Sequence, residues 1–395
     1  MGMAGLGIAS TQILPPISKL PYIAITAAAD VRKEALEKFR REYQAEVFES
    51  VEEMCASPNV DFVYIATPNE LHCKHAIAAA QHGKHVIVEK PMALSLEECE
   101  AMNGAAEKYR VKLLCGHTHS FDPPIRKIRE IVKGGELGKL CMINSWNYNE
   151  FMYRPRMRHE LATSRGVILN QGPHQVDIVR LIGGGAVRSV RAMTGIWDQS
   201  RPHEGSYVCY LEFADGVPAT LVYSGYGHFD TAELFDWVGE GGQPRDPETN
   251  FRARQRLKGI RTPEEEEQLK EQMRFGGQRE GEFSHLWHAE RHQPFFGFTV
   301  VSCERGDIRQ SPDGLFIYDD GGKRQINLPA GKIGREAEVE ELYQAVFHDR
   351  PVFHDGRWGQ ATLQVCLAIL RSAEERREML LTHQEKEYGS KRASS

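Results

Sequence analysis

The chain opens Met1-Gly2-Met3-Ala4-Gly5-Leu6-Gly7-Ile8-Ala9-Ser10, and this stretch decides the fold. A short apolar strand runs into a turn with glycines at positions 5 and 7, then into a helical pattern. At such a turn backbone amides approach a pyrophosphate closely, and the helix N-terminus stabilises its charge. Ser10 stands where a third glycine would, and glycine-rich turns have other uses, so a purely structural role stays open for the turn alone. Asp30 supplies the second half of the signal. It follows the next apolar run about 20 residues past the turn, where a carboxylate accepts hydrogen bonds from an adenosine ribose and repels a 2′-phosphate. Gly5, Gly7, Ser10 and Asp30 are the first cofactor-binding candidates. NAD is favoured over NADP, and Arg32 and Lys33 stand close enough to keep NADP possible.

Working outward, the first 120 or so residues alternate short apolar runs with helical patterns, as β-α-β units feeding a parallel sheet do. Strands are expected at Met1–Ala4, Ile23–Ala28, Val47–Phe48, Phe62–Ala66, His85–Val88 and Lys112–Cys115. Two helices announce their starts with capping boxes, Ser50 with Glu53 and Ser95 with Glu98. Pro123-Pro124 opens a basic amphipathic helix ending near Gly134-Gly135, after which the texture changes. Alternating segments at Cys141–Tyr148, Val187–Thr194, Tyr207–Phe213, Ala219–Tyr226, Gly297–Cys303, Leu315–Tyr318 and Arg324–Leu328, with a helix at Gln175–Ile182, predict a large, mostly antiparallel sheet. One face would be covered and the other free to pack on a partner subunit. The expected class is α/β, with a dinucleotide-binding domain over 1–122 and a substrate-binding and oligomerisation domain over 123–395. A polar insertion spans about 240–294, with a helix starting at a Thr262 cap with Glu265 three residues on and flanked by mobile loops.

Composition narrows the function. The 395 residues, 41% hydrophobic, are too many for one small core. A formal charge of −6 leaves no net basic field for a nucleic acid backbone. No stretch approaches the roughly 18 apolar residues of a membrane span, and Met1–Ala9 lacks the basic start of a signal peptide. The eight scattered cysteines form no C-x-x-C pair and read as reduced thiols of a cytoplasmic protein.

The chemistry-bearing residues cluster at strand ends. Ile65-Ala66-Thr67-Pro68-Asn69 lies at the carboxyl edge of the parallel sheet, where Thr67 and Asn69 could bond a dinucleotide, although Asn69 would serve equally as a helix cap. Glu89-Lys90-Pro91 closes a buried strand. A lysine there is costly unless its ammonium meets charge or substrate, and burial would pull its pKa toward the working range. A surface Lys–Glu pair is the plainer alternative. Asn170-Gln171-Gly172-Pro173-His174-Gln175-Val176-Asp177 opens a helix, with Asn170 and His174 four apart and His174 and Asp177 three apart. A histidine oriented by a carboxylate is a competent base at neutral pH, and a histidine at a helix start is also often structural.

Taken together, the phosphate turn, Asp30, Thr67-Pro68-Asn69 with His72, Glu89-Lys90-Pro91, the Gly172, His174, Asp177 set and Asp355-Gly356-Arg357-Trp358-Gly359 resemble the Gfo/Idh/MocA oxidoreductases in order and approximate spacing. The likeness covers nearly the whole chain. It implies a Rossmann domain, a nicotinamide cofactor, a C-terminal α/β domain with an open sheet, and a homodimer or homotetramer packed through that sheet. Lys90 and His174 match the family's catalytic lysine and histidine. Thr67, Asn69, His72 and Glu89 join the cofactor-binding set, while His119, Asn170 and Asp177 join the substrate-binding set. Two departures stand out. Asn170 replaces an aspartate common in the family and cannot act as a base, and Met1 directly precedes Gly2, which predicts a short first strand.

Within the family, Phe121–Pro124, Tyr148–Arg158, Trp197–Gly205 and Val301–Gly314 are similar to dehydrogenases of phthalate cis-dihydrodiols. The implied substrate is a ring secondary alcohol on a cis-dihydrodiol of an aromatic acid, whose carboxylates want arginine forks. Arg154, Arg156 and Arg158 supply a dense basic cluster, unless they merely line a solvated loop. A sugar or inositol dehydrogenase, and a dinucleotide-binding regulator without catalysis, are the rival expectations. His285, His288 and His292 with Glu290 invite a metal reading, but no second ligand group at zinc spacing supports it and hydride transfer needs no metal. No metal is expected.

Overall fold

The computed structural model describes residues 1–116, 118–280, 291–329 and 334–384. Six short strands, β1 (Gly2–Ala4), β2 (Ala27–Ala29), β3 (Glu46–Phe48), β4 (Phe62–Ile65), β5 (His85–Glu89) and β6 (Leu113–Gly116), form a parallel sheet in the order β3-β2-β1-β4-β5-β6. Their apolar side chains are buried on both faces, as expected where helices cover both sides. The covering helices are α1 (Ile8–Ile17), α2 (Lys33–Tyr43), α3 (Val51–Ala56), α4 (His72–Gln81) and α5 (Leu96–Tyr109). The order reverses between β1 and β4, which opens a crevice at the carboxyl ends of both strands.

Most sequence expectations reappear here with shifted ends. The strand expected at Ile23–Ala28 starts only at Ala27, and Ile23 and Ile25 instead pack half-buried beside the core on the approach. Ser50 and Ser95 cap α3 and α5 by accepting from Glu53 N and Glu98 N, each at 3.2 Å. Glu98 returns its carboxylate to Leu94 N at 2.9 Å, one residue before the cap.

After α6 (Pro123–Gly134), the second sheet contains β7 (Leu140–Tyr148), β8 (Val187–Gly195), β9 (Ser206–Phe213), β10 (Pro218–Ser224), β11 (Phe298–Cys303), β12 (Gly306–Ser311), β13 (Gly314–Asp319), β14 (Gly322–Asn327) and β15 (Met379–Leu380). Its order is β14-β13-β12-β11-β7-β10-β9-β8-β15, antiparallel throughout except for the β7–β10 pair. Strand β12 had no alternating pattern strong enough to be read from sequence. The inner face is covered by α8 (Gly172–Gly183) and α12 (Gly356–Glu375), while α7 (Arg158–Thr163) precedes α8 beside the crevice.

The insertion holds α9 (Thr249–Lys258), which the sequence reading missed, and α10 (Pro263–Gln272), capped as expected by Thr262 at 3.3 Å from Glu265 N. Just past α10 the chain is held to the first domain: Phe275 is buried against Phe39 of α2. The C-terminal segment also returns to the first sheet. α11 (Gly334–Phe347) buries Val339, Leu342 and Ala345 in the same core as Met3 and Leu6, and Cys115 N donates to His354 O at 2.8 Å. A division at residue 122 is therefore crossed by later chain.

Candidate active site

The phosphate turn separates its two glycines by role. Gly5 has φ +87°, and a Cβ there would lie 2.7 Å from Ala66 O, so only glycine lets β1 and β4 approach this closely. At Gly7 a Cβ would meet nothing within 4 Å, leaving open space above the backbone at the start of α1. A dinucleotide fits there, with its pyrophosphate over exposed amides at a helix N-terminus. Ser10 does not reach this space. It is buried under the turn, where its hydroxyl donates to Gly5 O at 2.7 Å, and it acts in helix–strand packing.

Asp30 lies at the cleft with its oxygens engaged: Oδ2 accepts from Leu6 N at 2.7 Å, and Oδ1 from Arg32 N at 2.8 Å and Arg32 Nε at 3.1 Å. The carboxylate thus ties the glycine turn to the end of β2 and holds Arg32 at the cleft. Thr67 and Asn69 also line the cleft, Thr67 Oγ1 lying 3.0 Å from His75 Nδ1. His72 is buried, with its ring nitrogens 2.9 Å from Pro91 O and 2.9 Å from Thr67 O. It clamps the cofactor loop to the Lys90-Pro91 segment, and burial pushes its pKa down.

Glu89 and Lys90 end β5 at the cleft. Glu89 is held by an ion pair to Arg335 at the start of α11, with the Tyr64 hydroxyl 3.1 Å away. Lys90 Nζ donates to Asn170 O at 2.8 Å, and burial lowers its pKa to about 8. Across the cleft, His174 packs its ring against His119 and Phe296, with centroids 4.9 Å and 5.0 Å away. His119 Nδ1 lies 2.9 Å from Asp122 Oδ2, so the carboxylate expected to orient a histidine is found on His119. Burial raises the pKa of Asp122.

Asp177 is not in this constellation. Helix α8 is buried all round, and its residue 177 faces α12, where Oδ1 accepts from Trp358 Nε1 at 2.5 Å and from Thr362 Oγ1 at 3.2 Å. Three residues along a helix leave two side chains about 60° apart, enough for a wholly enclosed helix to present them to different neighbours.

The three arginines separate in the same way. Arg158 is exposed, outside the cleft. Arg154 lines the cleft but is paired with Glu150 at 2.7 Å, and Glu150 is also held by Arg245. These two arginines outweigh the effect of burial and bring Glu150 down to about 2. Arg156 lines the cleft, stacks 4.1 Å over the Phe151 ring, and has no carboxylate within ion-pair distance among the described residues. Its Nε is buried without a hydrogen-bond partner among the described residues. Burial and Arg154 lower its pKa to about 10.

Sequence reading missed Arg335, Glu150, Arg245 and Lys270. All four line the cleft. Lys270 sits on the inserted helix, in a strongly polar stretch marked only by its Thr262 cap, so no local signal singled it out. The cleft as a whole encloses about 1470 Å³ and joins the phosphate turn to His174 and the insertion. Among the described residues no group of three or more His, Cys, Asp or Glu could hold a metal ion, and His292 Nδ1 lies 3.1 Å from Asp313. His285, His288 and Glu290 lie outside the described residues.

Residues 1–117 match the oxidoreductase family with an NAD-binding Rossmann fold, and residues 125–243 match the GFO/IDH/MocA C-terminal domain. The chain is 36% identical over 374 residues to 1-carboxy-3-chloro-3,4-dihydroxycyclohexa-1,5-diene dehydrogenase of Comamonas testosteroni, covering 94% of each. It is 28% identical over 193 residues to myo-inositol 2-dehydrogenase of Thermotoga maritima, covering 49% of this chain and 57% of that one. A crystal structure of a protein from Bordetella bronchiseptica RB50, described as a dehydrogenase, superposes with a TM-score of 0.90 at 38% identity, covering 96% of this chain and 99% of the other. With its glycine turn, its cleft lysine and histidine, and these relatives, the chain belongs to the Gfo/Idh/MocA family and is an NAD(P)-dependent oxidoreductase with an NAD-binding Rossmann domain.

Proposed function

We propose that the enzyme oxidises a ring-borne secondary alcohol on a carboxylated cis-dihydrodiol, with NAD as the preferred cofactor. The observation that carries this reading is Arg156, a guanidinium without a carboxylate partner among the described residues in the cleft that also holds Lys90 and His174. A partly buried guanidinium with no carboxylate at ion-pair distance among the described residues favours an anionic ligand, and it can bind a carboxylate through two parallel hydrogen bonds. The Comamonas relative acts, by its name, on a dihydroxycyclohexadiene bearing a carboxyl group.

The bound nicotinamide supplies the hydride acceptor. The chain's part is to hold the alcohol and manage its proton: His174 takes the hydroxyl proton while Lys90 donates a hydrogen bond to the same oxygen and stabilises its developing negative charge. The carbon loses a hydride and the oxygen a proton, giving a ketone. In a cyclohexadiene this ketone rearranges to an aromatic diol, which favours the oxidative direction. His119, held by Asp122, and Asn170 border the ring.

The test is a panel of carboxylated cis-dihydrodiols, uncharged cis-dihydrodiols and inositols with NAD and NADP, followed at the nicotinamide absorbance. Fast turnover of the carboxylated dihydrodiol with NAD is expected. Preference for inositol would overturn the substrate reading in favour of a sugar-type dehydrogenase, and a lack of turnover with every alcohol would favour a regulator.

The outward face of the second sheet presents Trp146, Met193, Val208 and Tyr210, each more than two-fifths exposed. A contiguous apolar face of this kind favours burial against a second copy, which we read as a homodimer or homotetramer. The eight cysteines are all free thiols, which suits a reducing cytoplasm. Light scattering on the purified protein tests the assembly, and a monomer at micromolar concentration would overturn it.

A further inference from the structure

We propose that Lys270, delivered by the inserted helix α10, completes with Arg156 a two-cation receptor for a ring carboxylate, so that the insertion sets the enzyme's selectivity for anionic ring alcohols. This rests on the substrate reading above and names the residue, absent from the sequence candidates, that would enforce it.

Lys270 is only 7% exposed although it belongs to a helix rich in exposed acids. Burying an ammonium is costly unless an anion meets it. The one carboxylate within 4.0 Å among the described residues is Glu160, whose Oε2 is 3.8 Å away and whose Oε1 already accepts from Arg274 at 3.3 Å. Arg156, facing the same cavity, has no carboxylate at ion-pair distance among the described residues. The groups that face Lys270 are thus Arg154, Arg156 and Arg274 against Glu160. Burial and Arg156 together bring its pKa down to about 7.

The acidic run on α10 is structural rather than merely solvated. Glu266 Oε1 accepts from Arg156 N at 2.9 Å while its Oε2 pairs with Arg201 at 2.6 Å. Glu267 Oε1 accepts from Arg158 N at 3.2 Å. The same helix therefore positions the arginine segment and inserts the lysine beside it. Its far end is fixed by Phe275, buried on α2 beneath Lys38, with Phe275 O accepting from Arg32 at 3.2 Å. A carboxylate arriving between Arg156 and Lys270 would meet two side chains already held in place, one a guanidinium and the other an amine that gains its charge on binding, so little side-chain entropy is lost.

An anion in this receptor stabilises the ammonium, so binding takes up a proton at a pH where the free lysine is mostly neutral. The experiment titrates phthalate, which has no reactive hydroxyl, into the NAD-saturated enzyme at pH 8 in two buffers of different ionisation heat. The expected result is uptake approaching about one proton per site, and in Lys270→Met a loss of that uptake with phthalate affinity weakened by about 10- to 100-fold. Lys270→Arg should restore affinity without uptake. In turnover, Lys270→Met should lower the preference for a carboxylated dihydrodiol over its carboxamide by a similar factor. Uptake that persists in Lys270→Met belongs to another group such as Lys90 and overturns the proposal, as does an unchanged preference. Proton uptake on binding NAD alone would assign the receptor to the cofactor and also overturn it. If the parent enzyme ignores carboxylated dihydrodiols and oxidises neutral sugars, the substrate reading itself has failed.

Discussion

Lys90 Nζ donates to the main-chain carbonyl of Asn170 at 2.8 Å, joining the end of a Rossmann strand to the turn that starts α8. The bond crosses from the dinucleotide half of the cleft to the half that carries His174. It holds a partly buried ammonium in the cleft, and it uses the backbone of residue 170, not its side chain. The loss of a family aspartate at this position therefore leaves the lysine's orientation intact.

Lys90→Ala should lower kcat by about 10² or more while leaving NADH affinity nearly unchanged, the scale expected for a positioned hydrogen-bond donor and electrostatic group. Burial lowers its pKa to about 8, below the ordinary lysine value, so the charged form is present below that pH and is lost above it. With an uncharged dihydrodiol as substrate, kcat/KM should fall above about pH 8 in the parent, and that limb should vanish in the variant. A flat alkaline profile in the parent removes the ammonium from the mechanism.

Asp30 should favour NAD over NADP, because a carboxylate at the end of the second strand repels a 2′-phosphate and this one pairs with Arg32. Asp30→Ala removes that guanidinium's carboxylate partner and also releases Leu6 N from its 2.7 Å bond. The kcat/KM ratio of NAD to NADP should drop by about tenfold or more, with the Michaelis constant for NAD rising. A parent enzyme that prefers NADP contradicts the assignment.

Arg156→Ala should raise KM for a carboxylated dihydrodiol by about 10- to 150-fold, the equivalent of a charge-assisted bidentate contact. Arg158→Ala should change it less than about twofold, since an exposed side chain outside the cleft contributes little. Steady-state kinetics on the two variants side by side settle the difference, and equal effects would place the carboxylate elsewhere.

Asp177→Ala should cost about 1–3 kcal/mol of stability, because it strands the Trp358 Nε1 and Thr362 hydroxyl donors in a buried setting. Its kcat with the same substrate should match the parent after correction for folded fraction. Chemical denaturation checks the first and active-site titration the second. A large loss of kcat in the folded variant would return Asp177 to the substrate.

The sequence by itself determined the features written in short windows. The strand-turn-helix at Gly5, Asp30 at the end of the second strand, the Ser50, Ser95 and Thr262 caps, and the lysine closing β5 all follow from local periodicity and fixed spacing, which the backbone reads without help from distant chain. Tertiary structure decided which side chains face the cleft. Asp177 turned to Trp358, residues 154, 156 and 158 divided into an arginine paired with a carboxylate, one with no carboxylate partner among the described residues and one exposed, and Arg335 came to Glu89 from 246 positions away. Lys270 reached the cavity on the inserted helix of a strongly polar stretch. The reason is geometric: a residue's position along a helix fixes its direction relative to that helix, but only packing between remote segments fixes where the helix points and which charges it brings together.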